Sequence, residues 1–259
     1  MIDWSHSIAG AITGFIVGVT GVGGGVLMTP ILLLIFRTPV TQAVGTDLWF
    51  AAITKIAAIY IHNTNHQIDW QVAKRLWMGS IPTSVLFTIA VAGGYVTKLA
   101  GYIPTMIGIT IIVTSVGLLF SEKIKKQSFG IKLSDKVFVN IIQPIATVLA
   151  GAGLGAIVSI TSVGAGVIGT MILIYLYSDR LTSKGIIATE IVHAIPLAMV
   201  AGTGYLIFGK VDFHMLASLL VGSIPATILG ALLSQRMSNK VLKIILANIL
   251  FCSGLKLIL

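Results

Sequence analysis

Charged residues are scarce in this chain of 259 residues, where they make up 10% of the sequence against 56% for hydrophobic residues. A soluble globular domain carries about 25% charged residues. The shortage of charge excludes an ordinary soluble protein. It predicts an integral membrane protein that is surrounded by a lipid bilayer.

Cysteine is almost absent, since Cys252 is the only one. A single cysteine excludes a disulfide framework and a cysteine-based metal site. The sequence also contains no nucleophile elbow, no P-loop with its lysine and no His-Glu-x-x-His motif. We therefore expect no enzyme active site, no cofactor and no metal ion.

Acidic residues are few as well, so the formal net charge is +9. Such an excess can indicate nucleic-acid binding, but here the basic residues stand in short connections between apolar segments and form no stripe with interleaved aromatics. The positive-inside rule expects this placement in a membrane protein, so we expect no nucleic-acid partner. The N-terminus lacks a basic region and a small-residue cleavage site, so we expect the first apolar segment to be retained.

Long apolar segments dominate what the sequence does contain. A helix needs about 20 residues to cross the hydrocarbon layer, and most of these segments have that length. The longest polar connection carries five lysines and divides the chain into a first transmembrane repeat (1–121), a basic linker (122–136) and a second transmembrane repeat (137–259). The apolar segments lie at about residues 9–36, 42–62, 70–95, 102–121, 137–177, 184–208, 214–233 and 239–258.

Glycine clusters interrupt the first and fifth apolar segments. Because glycine destabilises a helix, we expect the helix to break at Gly23–Gly25 and again near Gly164. A broken backbone within a bilayer lines a polar cavity or binds a ligand, and the half-helix that follows presents free N–H groups and the positive end of its dipole to anions. Matching breaks in two halves predict the binding site of a transporter. The predicted substrate-binding residues are Thr20, Gly21, Gly23, Gly24, Gly25, Thr161, Ser162, Gly164, Ala165 and Gly166.

The two halves of the chain repeat each other. Residues 22–26 match residues 163–167 at a spacing of 141 positions. After a two-residue insertion the spacing becomes 143, at which Thr46-Asp47 matches Thr189-Glu190 and residues 79–82 are identical to residues 222–225. The constant spacing predicts an internal duplication.

The distribution of basic residues predicts how the two repeats are oriented. If each interrupted segment crosses the membrane once, the basic residues divide 8 against 6 between the two faces; if each enters and returns, they divide 11 against 3. The positive-inside rule selects the second arrangement. We therefore predict an all-α integral membrane protein with two inverted repeats, each a glycine-interrupted re-entrant or short helical hairpin followed by about three transmembrane helices. The linker is then cytoplasmic and both termini lie outside.

Four ionisable residues lie well within apolar segments, namely Asp47, Lys55, Glu190 and His193. Such groups are costly in a membrane and indicate function. Asp47 and Glu190 occupy equivalent positions, so we expect inverted repeats to bring them near one axis, where a protonated carboxyl could donate a hydrogen bond to an oxyanion. His193 could pair with Glu190 at helical spacing, and Lys55, about 12 Å along the helix from Asp47, could supply positive charge to the cavity. The alternative is that all four form ion pairs that only position helices.

Several short motifs recur in a characteristic order along the chain. They are Gly21-Val-Gly-Gly-Gly25 followed by Pro30, Gly45-Thr-Asp47, Thr54-Lys55, Asp69-Trp70 and Thr189-Glu-Ile-Val-His-Ala-Ile-Pro196. With these motifs the chain resembles the sulfite exporter TauE/SafE family over essentially its whole length. The resemblance implies transport of sulfur-containing oxyanions or organosulfonates across the bacterial cytoplasmic membrane. The chain departs from the family pattern at Ala165, where a glycine is expected, and at Glu190, where aspartate is more typical.

We therefore predict a secondary transporter that exports a small anion, sulfite or a related sulfur oxyanion or organosulfonate, with Asp47 and Glu190 coupling transport to protons and Lys55 and His193 tuning local charge. Two alternatives are an intramembrane enzyme that acts on a lipid phosphate and a passive anion channel. The enzyme is disfavoured because no intramembrane arginine is present to clamp a phosphate. The sequence leaves the identity of the anion, the direction of transport and the oligomeric state open.

Overall fold

The structure is a computed structural model that describes residues 3–20, 25–62, 68–95, 101–128, 141–234 and 239–259. These residues form helices and short connections, and no strand occurs among them. The prediction of an all-α protein is therefore confirmed. The helices are α1 (Trp4–Thr20), α2 (Gly25–Leu34), α3 (Val40–His62), α4 (Trp70–Ala92), α5 (Ile103–Ser128), α6 (Gln143–Thr161), α7 (Ala165–Tyr177), α8 (Ser183–Ile207), α9 (Phe213–Ser234) and α10 (Asn239–Ile258).

Five helical segments among the described residues are long and apolar enough to cross a membrane: α4, residues 103–120 of α5, α6, α8 and α9. Many large apolar side chains on these helices face outward, as Ile207 (76% exposed), Leu149 (67%) and Leu86 (65%) illustrate. A soluble protein rarely exposes so much contiguous apolar surface. The protein is a multi-pass membrane protein whose outer surface suits lipid.

Helix α5 extends further than the apolar pattern predicts. The predicted linker begins at residue 122, but α5 continues to Ser128. Residues 122–128 contain no glycine or proline and are rich in lysine, with glutamate and glutamine beside it. These residues have high helix propensity, so the helix continues after its apolar part has ended.

Both predicted breaks fall between consecutive helices. Helix α1 ends at Thr20 and α2 begins at Gly25, although residues 21–24 lie outside the described part of the chain. Helix α6 ends at Thr161 and α7 begins at Ala165. The intervening turn contains Ser162 with φ of 58° and Gly164 with φ of 104°. The latter backbone conformation favours glycine.

Each interrupted segment folds back toward the end from which it started. In the first half, the ring of His6, in the first turn of α1, stacks on the ring of Phe36, just beyond the end of α2. The two ring centroids are 4.1 Å apart. In the second half, the Gln143 side chain donates to the carbonyl of Leu176, and the Thr147 hydroxyl lies 2.7 Å from the Tyr177 hydroxyl. The start of the first helix therefore meets the end of the second helix in both hairpins.

Glycines allow the two halves to pack against each other reciprocally. Helix α1 runs alongside α9 and helix α6 runs alongside α4, with equivalent residues in contact. At four glycines of α1 and α6, an added Cβ atom would overlap the backbone of the partner helix, so these small residues allow the close approach. The contacts are Gly10 with Leu219, Gly14 with Ser223, Gly151 with Leu76 and Gly155 with Ser80.

Two further pairs of helices join equivalent elements from the two halves. Along α5 and α10, Gly108 faces Gly254, while Ser115 Oγ donates to the Ala247 carbonyl at 2.8 Å. Rising residue numbers in α5 thus meet falling numbers in α10, so the two helices are antiparallel. Helices α3 and α8 are antiparallel in the same way, since Gly45 packs against Tyr205 and Lys55 contacts Glu190.

Candidate functional site

The turn between α6 and α7 leaves the start of α7 without a side-chain cap. Gly164 occupies the N-cap position and has no side chain that could accept from the first amides. These N–H groups have no carbonyl partner within their own helix. Gly164 and Gly166 are buried and Ala165 is half-buried, so these amides are largely shielded from the surface of the protein.

The two hydroxyl residues of this turn have different roles. Thr161 Oγ1 donates to the Ile157 carbonyl at 2.7 Å and accepts from the Val163 amide at 3.1 Å, so it stabilises the turn itself. The Ser162 amide donates to the Val158 carbonyl at 2.7 Å. The Ser162 hydroxyl, in contrast, is 6% exposed and has no hydrogen-bond partner among the described residues. An unpartnered buried hydroxyl is costly and remains available to a ligand.

Asp47 lies between the two interrupted segments. Its side chain is fully buried, and its Oδ2 atom accepts a hydrogen bond from the Thr29 hydroxyl, one turn into α2. Its carboxyl group also lies beside the Ser162 side chain of the second break. Its Oδ1 atom has no hydrogen-bond partner, and no cation of the described residues forms an ion pair with it.

Lys55 and Glu190 form a buried ion pair across α3 and α8. The Lys55 Nζ atom lies 2.9 Å from Glu190 Oε1, and their side chains are 7% and 3% exposed. Gly169 of α7 packs against the Glu190 side chain, since a Cβ atom there would lie 3.3 Å from its Cγ atom. The Lys55 ammonium group, which the sequence predicts to supply positive charge to the cavity, is therefore paired directly with the Glu190 carboxylate in the structure.

His193 does not form the expected pair with Glu190. Helix α4 packs against this face of α8, and Ser80 Oγ of α4 lies 3.0 Å from His193 Nε2. The Trp77 indole also donates to the His193 carbonyl at 3.2 Å. The contact of the fully buried imidazole is thus determined by α4. The predicted pair with Glu190 was based only on the spacing of the two residues along α8.

One equivalent hydroxyl of the second half lacks the partner that its counterpart has in the first half. Ser80 lies 3.0 Å from His193, whereas the residue equivalent to His193 in the first half is Phe50, whose side chain cannot form a hydrogen bond with Ser223. The Ser223 hydroxyl is buried and has no partner among the described residues. The polar interior is therefore asymmetric although the helices pack reciprocally.

Among the described residues, the ionisable side chains of the interior have separate partners instead of forming one cluster around both carboxylates. Asp47 lies with Thr29 and Ser162, Lys55 pairs with Glu190, and His193 contacts Ser80. No hydrogen bond joins Asp47 to Glu190 within the described ranges. Of the predicted binding residues, Gly21, Gly23 and Gly24 lie outside the described part of the chain, and the side-chain surroundings of Thr20 and Gly25 are not described.

Sequence reasoning missed the roles of Thr29 and Ser80, which contact Asp47 and His193 respectively. Thr29 gave a usable signal, because it has an equivalent in Thr170 and stands one helical turn after the glycine cluster. Ser80 belongs to the identical segment of the two repeats, where a packing role was the simpler interpretation. Among the described residues, no group of three or more His, Cys, Asp or Glu residues could hold a metal ion.

Comparison with known proteins identifies the family of the chain. The family model described as "Sulfite exporter TauE/SafE" matches residues 7–257. The chain belongs to the TauE/SafE family. This TauE/SafE protein is 34% identical to "Probable membrane transporter protein YjnA" of Bacillus subtilis, over 97% of this chain and 98% of that protein. It is 27% identical to "Probable membrane transporter protein MJ0441" of Methanocaldococcus jannaschii, over 96% and 94% of the two chains.

No solved structure gives a significant match to this TauE/SafE protein. Its family and its apolar helices together establish a membrane transporter. The predicted family is therefore confirmed.

Proposed function

We propose that this protein is a secondary transporter that exports a small anion, sulfite or a related sulfur oxyanion or organosulfonate, across the bacterial cytoplasmic membrane. The observation that carries the proposal is the Asp47 carboxyl beside the Ser162 hydroxyl, both buried and incompletely hydrogen-bonded, at the uncapped start of α7. Family membership supports the choice of a sulfur oxyanion.

The anion site consists of groups that donate hydrogen bonds. The first amides of α7, from Gly164 to Gly166, are largely shielded from the surface of the protein, and the positive end of the helix dipole adds to their attraction for an anion. The Ser162 hydroxyl supplies a further donor. We expect the equivalent break of the first half, from Thr20 to Gly25, to contribute donors in the same way; residues 21–24 lie outside the described part of the chain.

Proton coupling falls first to Asp47. A buried carboxylate without a cation is costly, and binding a proton removes that cost. A protonated Asp47 carboxyl then donates a hydrogen bond to an oxyanion, so that the proton and the anion move together. Glu190 contributes second, because protonating it releases the positive charge of Lys55 to the anion, while His193 shapes the polar surroundings through Ser80.

The topology is that of two inverted repeats. Support comes from the two hairpins that return to their starting ends and from the antiparallel pairing of α3 with α8 and of α5 with α10. With this topology the linker 122–136 and most basic residues of the connections, 11 against 3, share one face. The positive-inside rule makes that face cytoplasmic.

Flux measurements in liposomes test the proposed function. We expect the purified protein to carry sulfite at a saturable rate that responds to an imposed pH gradient, with protein-free liposomes giving the background. Asp47→Asn should abolish the response, since asparagine cannot exchange a proton. Asp179→Asn makes the same chemical change at an exposed residue between α7 and α8 and should leave the response intact.

The same preparation distinguishes the alternatives. Flux that does not saturate and ignores the pH gradient would indicate a passive channel and overturn the transporter. Release of phosphate from prenyl phosphates without any sulfite flux would indicate an intramembrane enzyme. Sulfite flux whose pH response persists in Asp47→Asn would remove Asp47 from the coupling mechanism.

A further inference from the structure

Two aspartate–arginine pairs occupy equivalent positions at opposite ends of the protein. Asp69 precedes α4 and Asp212 precedes α9, while Arg37 and Arg180 each stand three residues beyond the returning helix of a hairpin. Both matches have the spacing of 143 residues that relates the two repeats in this region. In each pair the aspartate belongs to one half and the arginine to the other.

The Asp69–Arg180 pair is formed. It lies at the end of the protein where α6 begins after the linker, here called the linker end, because the end of α7 contacts the start of α6. Arg180 Nη2 lies 2.8 Å from Asp69 Oδ2 and also donates to the Gln71 side chain at 3.0 Å. The second carboxylate oxygen of Asp69 caps α4 by accepting from the amides of Gln71 and Val72 at 3.1 Å. The cap holds the aspartate in place, so the ion pair ties the connection after α7 to the start of α4.

The equivalent pair at the opposite end is not formed. Asp212 caps α9 through the Met215 amide at 2.9 Å, but its other oxygen accepts from the neutral Gln42 side chain at 3.2 Å. Arg37 is exposed and forms no ion pair with any described residue. Its φ of 52° is unusual for a residue with a side chain, and Arg180 does not share it.

Each capping aspartate is also connected to the buried carboxylates. The Asp69 amide donates to Thr189 Oγ1 at 3.0 Å, and the next residue is Glu190. The Asp212 amide donates to Thr46 Oγ1 at 3.1 Å, and the next residue is Asp47. A shift of either aspartate therefore moves a residue adjacent to a buried carboxylate of the other half.

We propose that the two pairs are alternating gates: Asp69–Arg180 closes the linker end in the present conformation, and Asp212–Arg37 forms in the opposite conformation when the first pair breaks. The proposal rests on the proposed transport function. The Arg180 side chain is 46% exposed and the Asp69 side chain 11%, so solvent reaches the arginine side of the pair, and ion pairs that solvent reaches contribute little to stability. Such a contact can form and break in each transport cycle.

Thiol labelling tests the gates without reference to the transported anion. The exposed Cys252 is replaced by serine, and Ser162→Cys provides one buried thiol between the two ends. Membrane-impermeant maleimide is then applied to oriented vesicles from each face. Labelling from the linker face should rise when Asp69→Asn or Arg180→Gln removes the formed pair, and asparagine retains an oxygen for the helix cap.

Removing the unformed pair should have the opposite effect. Arg37→Gln or Asp212→Asn should lower labelling from the linker face and raise it from the other face. Lys184→Gln and Lys210→Gln remove a basic residue near each end without touching a gate and should change neither rate. Labelling that is unchanged in all four gate variants, or shifts in one direction for both pairs, overturns the proposal.

A double-mutant cycle on anion export gives a second, independent readout. Arg37 and Asp212 do not contact each other in this conformation, so independent roles predict that their effects add. If the two residues form a gate, each single variant should slow anion export several-fold. The double variant Arg37→Gln with Asp212→Asn should then export the anion no more slowly than either single variant. Additive effects overturn the gate. Absence of sulfite flux in the wild type, with the labelling shifts intact, would instead overturn only the proposed substrate.

Discussion

Asp47 differs from the other buried carboxylate in its surroundings. It accepts from Thr29, lies beside Ser162 and has one oxygen without a hydrogen-bond partner in the described part of the chain, whereas Glu190 contacts the ammonium group of Lys55. Both residues follow a threonine at equivalent positions of the two repeats. Equivalent positions therefore have different surroundings: the Asp47 carboxylate has no cationic partner among the described residues, whereas the Glu190 carboxylate is paired with one.

The Lys55–Glu190 pair predicts a stability difference. Glu190→Gln leaves the buried Lys55 charge uncompensated, and breaking one side of a buried ion pair typically costs about 3–5 kcal/mol. We expect a large fall in the melting temperature of the detergent-solubilised protein. The combined change Lys55→Met with Glu190→Gln should recover much of the loss.

Arg180→Gln is the reference for this measurement. It removes a charge from the half-exposed pair with Asp69, where a loss of about 0–1 kcal/mol is typical. A melting temperature for Glu190→Gln that equals that of Arg180→Gln would contradict a tightly buried pair.

The sequence identified the ionisable residues of the interior but not their partners. Ionisable residues are easily recognised within apolar segments of a sequence. The structure is therefore not needed to single out Asp47, Lys55, Glu190 and His193. Lys55 and Glu190 are 135 positions apart, and their contact depends on how α3 crosses α8. The contact of His193 with Ser80 depends in the same way on the packing of α4.

At the scale of elements, helix bounds follow closely from the apolar pattern. The segments predicted at 184–208, 214–233 and 239–258 correspond to α8, α9 and α10 within one residue at each end. The pattern was less accurate for α5, because helix propensity continues beyond the apolar part. The start predicted at residue 137 lies outside the described residues, which resume at residue 141 before α6.

Close helix packing at glycine predicts a contrast within a single helix. Gly151 of α6 lies against the backbone of Leu76, so Gly151→Ala must push α6 away from α4. Gly153, two residues later, is exposed and has no neighbour within 4 Å of an added Cβ atom. Gly153→Ala should therefore be neutral or stabilise the helix by about 0.5–1 kcal/mol.

Melting temperatures of the two variants measure this contrast. We expect a clear decrease for Gly151→Ala and none for Gly153→Ala. Equal effects of the two substitutions would mean that α4 and α6 do not pack as closely as described.

At the scale of the whole molecule, the two halves are interlocked. The first helix of each half packs on the fourth helix of the other half: α1 packs on α9, and α6 packs on α4. Helices α3 and α5 pack on their own counterparts. Neither half therefore presents a separate packed unit, and relative movement must occur along contacts between the halves.

The proposed membrane orientation predicts a labelling pattern in cells. In a Cys252→Ser background, Lys210→Cys should react with an impermeant maleimide added to intact bacteria. Lys184→Cys should react only after the membrane is permeabilised, because it lies at the linker end. Reaction of both cysteines in intact cells, or the reverse pattern, would contradict two inverted repeats with a cytoplasmic linker.

In the proposed mechanism, one buried site carries an anion and a proton together, with Asp47 as the proton carrier. The most direct measurement is the internal pH of proteoliposomes on which a sulfite gradient is imposed, with protein-free liposomes as the background. We expect a proton movement that accompanies sulfite for the wild type and for Asp179→Asn and is absent for Asp47→Asn. Sulfite transport with no accompanying proton movement in the wild type, or with an unchanged one in Asp47→Asn, would contradict this mechanism.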